Sequence, residues 1–94
     1  MTEIIDYRPY MVNENKVYVK VNAFIDTEGN VYPISFTWED GYKYEIDKIS
    51  EIRPAASLKA GGTGIRYSIK VHNKQTYIWL EETNGACRWF LERK

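Results

Sequence analysis

Tyr32-Pro-Ile-Ser-Phe-Thr-Trp-Glu-Asp-Gly-Tyr-Lys-Tyr-Glu-Ile46 is the stretch that decides the fold. Its large apolar residues recur at every second position, the period of a strand with one buried face. Tyr32, Ile34, Phe36 and Trp38 share one side, with Pro33, Ser35, Thr37 and Glu39 on the other. Glu39-Asp40-Gly41 then reads as a three-residue hairpin loop whose glycine takes a left-handed conformation. Closing it pairs Trp38 with Tyr42, Phe36 with Tyr44 and Ile34 with Ile46. Residues opposite each other in an antiparallel pair point to the same face, so each pair is a test of the register.

The same test extends in both directions. Upstream, Val17, Val19, Val21, Ala23 and Ile25 alternate in the same way. A four-residue turn over Thr27-Glu28-Gly29-Asn30 pairs Ile25 with Tyr32, Ala23 with Ile34, Val21 with Phe36 and Val19 with Trp38. Downstream, the third strand runs on irregularly toward Ile49 and Ile52, bending near Asp47–Lys48. Residues 53–64 form a long connection, too rich in glycine and too lacking in a helical stripe to hold more than one short turn of helix. Ile65, Tyr67, Ile69 and Val71 open a second set of strands. A turn at Asn73-Lys74 pairs Val71 with Thr76, Ile69 with Ile78 and Tyr67 with Leu80. Asn84-Gly85 is a strong two-residue hairpin signal. It pairs Glu82 with Cys87, Leu80 with Trp89 and Ile78 with Leu91.

The fold class expected is all-β. Six or so strands form two three-strand meanders joined by a Gly-rich loop, curled into a small SH3-like antiparallel barrel or a compact two-sheet arrangement. Residues 16–94 make a single domain. Residues 1–15 are an N-terminal arm or edge strand whose Ile4, Ile5, Tyr7 and Met11 are available to pack on it.

Composition narrows the class of function. The 13 basic and 13 acidic residues cancel, so any attraction for a polyanion has to be local. With one cysteine, Cys87, no internal disulfide can form, which suits a reducing, cytoplasmic setting. Cys87 falls on the inward set and is expected to be a small core side chain. Neither a leader-like start nor a membrane-length apolar run is present, so no membrane partner is expected. His72 is the lone histidine, so no triad or multi-histidine metal site can be assembled around it. Asp26, Glu28, Glu39, Asp40, Glu81 and Glu82 fall at turns and strand ends. No catalytic residue, metal site or cofactor is expected.

The register also says what faces outward. Trp79 lies beside Phe90 and Ser68, Tyr77 beside Lys70 and Glu92, and Glu81 between Arg66 and Arg88. Rings on a nominally wet face, fringed by Arg66, Lys70 and Arg88, are the candidate binding surface. Three occupants fit it: the N-terminal arm itself, a protein partner or second copy of the chain, or single-stranded nucleic acid stacked on the rings. A second candidate is an anion nest in the connection, built from Arg53, Lys59, Gly61, Gly62 and Gly64. It is not a P-loop, since Lys59 precedes the glycines and a strand follows them.

One pattern carries a resemblance. Asp26, Gly29, Pro33, Phe36, Trp38, Tyr44 and Ile46, with Trp89-Phe90-Leu-Glu92 near the end, resemble the spacing in small uncharacterised bacterial all-β domains. Some of these are encoded near translesion DNA polymerase genes. The resemblance implies a small β domain and a DNA-associated accessory role. It supplies no functional residues, because those domains have no established activity.

Overall fold

The computed structural model describes residues 15–55, 63–83 and 85–93. They form seven strands: β1 (Lys16–Ile25), β2 (Val31–Thr37), β3 (Lys43–Glu45), β4 (Lys48–Pro54), β5 (Thr63–Val71), β6 (Lys74–Thr83) and β7 (Ala86–Glu92). All pairings are antiparallel, in the order β3-β2-β1-β7-β6-β5-β4.

The two edge strands are consecutive in sequence and separated only by Ile46 and Asp47. Ile46 N donates to the Ile34 carbonyl on β2 at 2.9 Å, and Asp47 N donates to the Lys70 carbonyl on β5 at 2.8 Å. A seven-stranded sheet whose edges are joined by two residues has to curl until those edges meet. The result is the barrel-like all-β fold expected. The segment read as one irregular third strand serves both meanders, as β3 against β2 and β4 against β5.

The inner face is the core. Phe36, Tyr67, Ile69, Ile78, Leu80 and Leu91 are buried, with Val19, Val21, Trp38, Tyr44, Ile46, Ile65, Val71 and Trp89 among those packed around them. Val17 is buried beside them. At about 25 cal/mol per Å² of apolar area removed from water, such rings and branched chains are what a domain this small depends on.

The registers of the Glu39–Gly41 and Asn84–Gly85 hairpins agree with the sequence reading. Trp38 N bonds the Tyr42 carbonyl at 2.9 Å, Gly41 sits at φ 88°, and Phe36 faces Tyr44. Glu82 faces Cys87 and Leu80 faces Trp89.

Two registers differ. The first turn is one residue shorter than expected: Asp26 N bonds the Asn30 carbonyl and Gly29 N bonds the Asp26 carbonyl, both at 3.0 Å. This aligns Ile25 with Val31, Phe24 with Tyr32 and Ala23 with Pro33. A bulge at Ile34 then restores the expected pairing of Val21 with Phe36. It falls next to Pro33, which has no N–H to give to the ladder. On the turn side of the bulge the faces of β2 are exchanged, so that Val31 rather than Tyr32 packs on the core. Tyr32 is out and stacked on Phe24 at 6.0 Å, while Ala23, Ile25 and Ile34 are exposed rather than core.

The β5–β6 turn is His72-Asn73, with both residues left-handed at φ 50° and 67°. Val71 therefore faces Lys74, Ile69 faces Thr76 and Tyr67 faces Ile78. The slide is by two residues, so every side chain keeps its face. Cys87 is exposed, contrary to the sequence reading, because β7 at that point has passed the span where β1 pairs with it. The expectations for the arm fall on residues 1–14, outside the described residues apart from Asn15. Asn15 accepts a hydrogen bond from Arg93 N at 2.6 Å.

Candidate functional site

The outer face is organised by one cross-strand row. Tyr18 on β1 faces Phe90 on β7, Phe90 faces Trp79 on β6, Trp79 faces Arg66 on β5, and Arg66 faces Arg53 on β4. Opposed residues share a face, so the register alone lines these five side chains up across the sheet. On one side of the row lie Arg88 and Glu81, with Gly64 opposite Glu81. On the other side lie Tyr77, Ser68 and Glu51.

The three rings of this row are in contact, and Tyr77 links them to Arg66. The Trp79 and Phe90 rings are stacked with centroids 5.1 Å apart and planes 6° from parallel. Tyr18 meets Phe90 edge-on at 5.7 Å, and Tyr77 lies tilted 5.9 Å from Trp79. Cations sit against the outer rings: Arg88 at 3.4 Å from the Tyr18 centroid, Lys16 at 4.4 Å from that of Phe90, and Arg66 at 4.6 Å from that of Tyr77. Contacts of this kind contribute about 0.5–2 kcal/mol each, the more so where water is displaced.

An acid is set among these cations. Glu81 is 7% exposed; its carboxylate accepts from the Tyr18 hydroxyl at 2.8 Å and lies 3.8 Å from Lys16 Nζ. Burial pushes the Tyr18 hydroxyl above its ordinary pKa, and the neighbouring Glu81 carboxylate pushes it further the same way. Ser68, also outward, is 3% exposed. Arg66 reaches Glu51 at 3.9 Å through one terminal nitrogen, while its Nε is buried with no hydrogen-bond partner among the described residues.

Of the residues singled out from the sequence, Trp79, Phe90, Tyr77, Arg66 and Arg88 are brought together. Lys70 is not. The two-residue slide places it opposite Gln75 and Lys48 rather than opposite Tyr77. The same slide gives Trp79 Arg66 as its β5 neighbour, gives Tyr77 Ser68, and leaves Glu81 facing Gly64. Lys16 and Tyr18 are additional members, delivered by the β1–β7 pairing.

The anion nest is not assembled in the described part of the chain. Lys59, Gly61 and Gly62 lie outside the described residues, and Gly64 belongs to β5. A Cβ at Gly64 would stand 2.8 Å from the Ala55 carbonyl oxygen and 3.2 Å from that of Leu80. This glycine is needed for close strand packing. Arg53 pairs with Glu51 at 3.1 Å.

Among the described residues no three His, Cys, Asp or Glu side chains are grouped to hold a metal ion, and no helix is long and apolar enough to cross a membrane. Comparison with protein-family models, with curated proteins and with solved structures finds no match for the chain.

Proposed function

We propose that the chain is a non-catalytic interaction module that binds a protein surface, in the first instance a second copy of itself, through the face centred on Trp79 and Phe90. The observation that carries this reading is the continuous ring set Tyr18–Phe90–Trp79–Tyr77, with Arg66 lying over Tyr77 at its end. Aromatic and arginine side chains are the types enriched where proteins anchor to one another. Rings already fixed by their neighbours lose little rotational freedom when a partner arrives.

The competing reading is a platform for single-stranded nucleic acid, favoured by Arg66, Arg88 and Lys16 on the same face. Base stacking requires an open ring face. Here Trp79 and Phe90 cover each other, and cations lie over Phe90, Tyr18 and Tyr77. Glu81, Glu51 and a balanced overall charge also oppose a polyanion. A small SH3-like module in a bacterial cytoplasm is part of the same proposal; the exposed single thiol of Cys87 suits a reducing compartment.

Light scattering over a concentration series tests it. A dimer that forms at micromolar concentration and is lost in Trp79→Ser is the expected result. A chain that stays monomeric at high micromolar concentration overturns self-association. Quenching of tryptophan fluorescence by an oligonucleotide, weakening steeply with salt, would favour the nucleic-acid reading instead.

A further inference from the structure

A second feature is independent of the outer face. At the barrel end framed by the Glu39–Gly41 and His72-Asn73 turns there is a cavity of about 540 Å³. That lies within the range of about 300–1,000 Å³ typical of small-molecule sites. One wall is aromatic: Phe36 and Tyr44 are stacked at 5.6 Å, His72 meets Tyr44 edge-on at 5.5 Å, and Trp38 lies with them, with Leu91 and Val71 adding aliphatic surface.

The charges around the mouth decide what fits. Glu39 is held by Arg93 in a two-pronged ion pair, 2.8 Å from one terminal nitrogen and 3.1 Å from Nε. Asp40 accepts from the Tyr44 hydroxyl at 3.0 Å and from Tyr42 N at 2.9 Å, and Asp47 accepts from His72 N at 3.0 Å. Glu92 also lines the cavity, but it lies opposite Lys16 in the β1–β7 register, on the strand side that carries Phe90. Lys74 is different. It faces Val71 across the β5–β6 ladder, so it belongs to the inward set with Thr76 and Ile78, and it lines the cavity. Among the described residues its ammonium has no ion-pair partner. An inward cation at the lip of an aromatic pocket calls for a planar apolar body carrying an anion.

We propose that this cavity binds a small aromatic molecule bearing a single anionic group. Its ring lies among Phe36, Trp38, Tyr44 and Leu91, and its anion meets Lys74 Nζ, with Thr76 and Gln75 at hand to donate further hydrogen bonds. None of the outer-face rings lines the cavity, so the site stands or falls separately from the docking surface.

Titration of the full chain with 1-naphthoate, followed by NMR, tests this. The Leu91 and Val71 methyls and the Trp38 indole N–H should shift together and saturate. Lys74→Gln should weaken 1-naphthoate by about tenfold, as expected for one charge-assisted contact, and leave the weaker binding of 1-naphthalenemethanol unchanged. Trp38→Leu should weaken both. The proposal is overturned if 1-naphthoate moves none of these signals at millimolar concentration. It is equally overturned if 1-naphthylmethylammonium binds as tightly, or if the shifts map to Trp79 and Phe90 instead.

Discussion

The phenol of Tyr67, buried on β5, reaches across the barrel and donates a 2.6 Å hydrogen bond to the Val31 carbonyl on β2. Tyr67 is 1% exposed and packs on Trp89 with centroids 5.4 Å apart. The contact therefore links the two meanders through the core. Val31 lies at the turn end of β2, beyond the bulge, where only β1 pairs with that strand. This bond takes the place of a missing ladder partner.

Tyr67→Phe keeps the ring and removes the donor, leaving the Val31 carbonyl unmatched. A loss of about 1–2 kcal/mol in urea unfolding is expected at neutral pH. Burial holds the Tyr67 hydroxyl above its ordinary pKa, and that of Tyr18 likewise. A group whose pKa is raised on folding gives its full stabilisation below the unfolded pKa and loses it as pH rises. The wild-type chain should therefore weaken above about pH 10, the unfolded tyrosine value. Tyr67→Phe should show a shallower alkaline decline. An equal decline in the two proteins would mean that Tyr67 does not couple to pH.

How much of this was legible in the sequence follows from what local pairing can and cannot encode. Gly41 and Gly85 sit at left-handed positions beside the β2–β3 and β6–β7 ladders, and both registers are readable residue by residue. His72-Asn73 carries no glycine. A turn drawn one residue later, at Asn73-Lys74, exchanges no faces, because a slide of two preserves alternation. The core set thus survived while the neighbours changed, and Lys70 left the ring cluster. Ile34 was misread because the bulge beside Pro33 absorbs a shortened turn, and alternation cannot reveal an inserted residue. Tyr18 and Lys16 were missed for another reason. Their pairing with β7 spans most of the chain and has no turn to announce it.

The first turn is held by a carboxylate. Asp26 accepts from Glu28 N and Asn30 N, both at 2.9 Å, and from the Asn30 side-chain amide at 3.2 Å. These bonds, that from Asn30 N foremost, hold its pKa below the ordinary value; the Arg93 pair does the same for Glu39. Their contribution is present above about pH 4, the ordinary carboxyl range, and is lost as pH falls through the lowered values. Asp26→Asn should be less stable than wild type at pH 7 and should lose less on acidification to about pH 3. Parallel acid limbs in thermal melts of the two proteins would show that Asp26 does not couple folding to pH.

Two glycines are required for different physical reasons, and one pair of substitutions separates them. Gly41 sits at φ 88°, and a Cβ there would meet nothing within 4 Å, so only backbone conformation resists a side chain. Gly41→Ala should cost about 1–2 kcal/mol and Gly41→Asn less, since asparagine tolerates the left-handed region. At Gly64 the Ala55 and Leu80 carbonyl oxygens occupy the space. Gly64→Ala should cost at least as much, about 1–3 kcal/mol, and Gly64→Asn should give no relief. Relief by asparagine at both sites in denaturant titrations would refute the steric account of Gly64.

Glu81 is the point at which the outer face is most constrained. Its carboxylate is buried and relies on the Tyr18 hydroxyl at 2.8 Å, with Lys16 at 3.8 Å as its nearest cation among the described residues. Tyr18→Phe removes that short hydrogen bond from a buried acid, so about 1–3 kcal/mol of stability should be lost. Glu81→Gln keeps an acceptor for Tyr18 and loses only the attraction of Lys16 and Arg88. It should cost less, about 1 kcal/mol or under. In the double variant the phenylalanine no longer strands a buried charge. The two costs should therefore sum to more than the double variant loses, by about 1 kcal/mol. Strict additivity in urea unfolding at pH 7 would show that Tyr18 and Glu81 are neighbours without being coupled. The ring row would then rest on stacking and cation contacts alone.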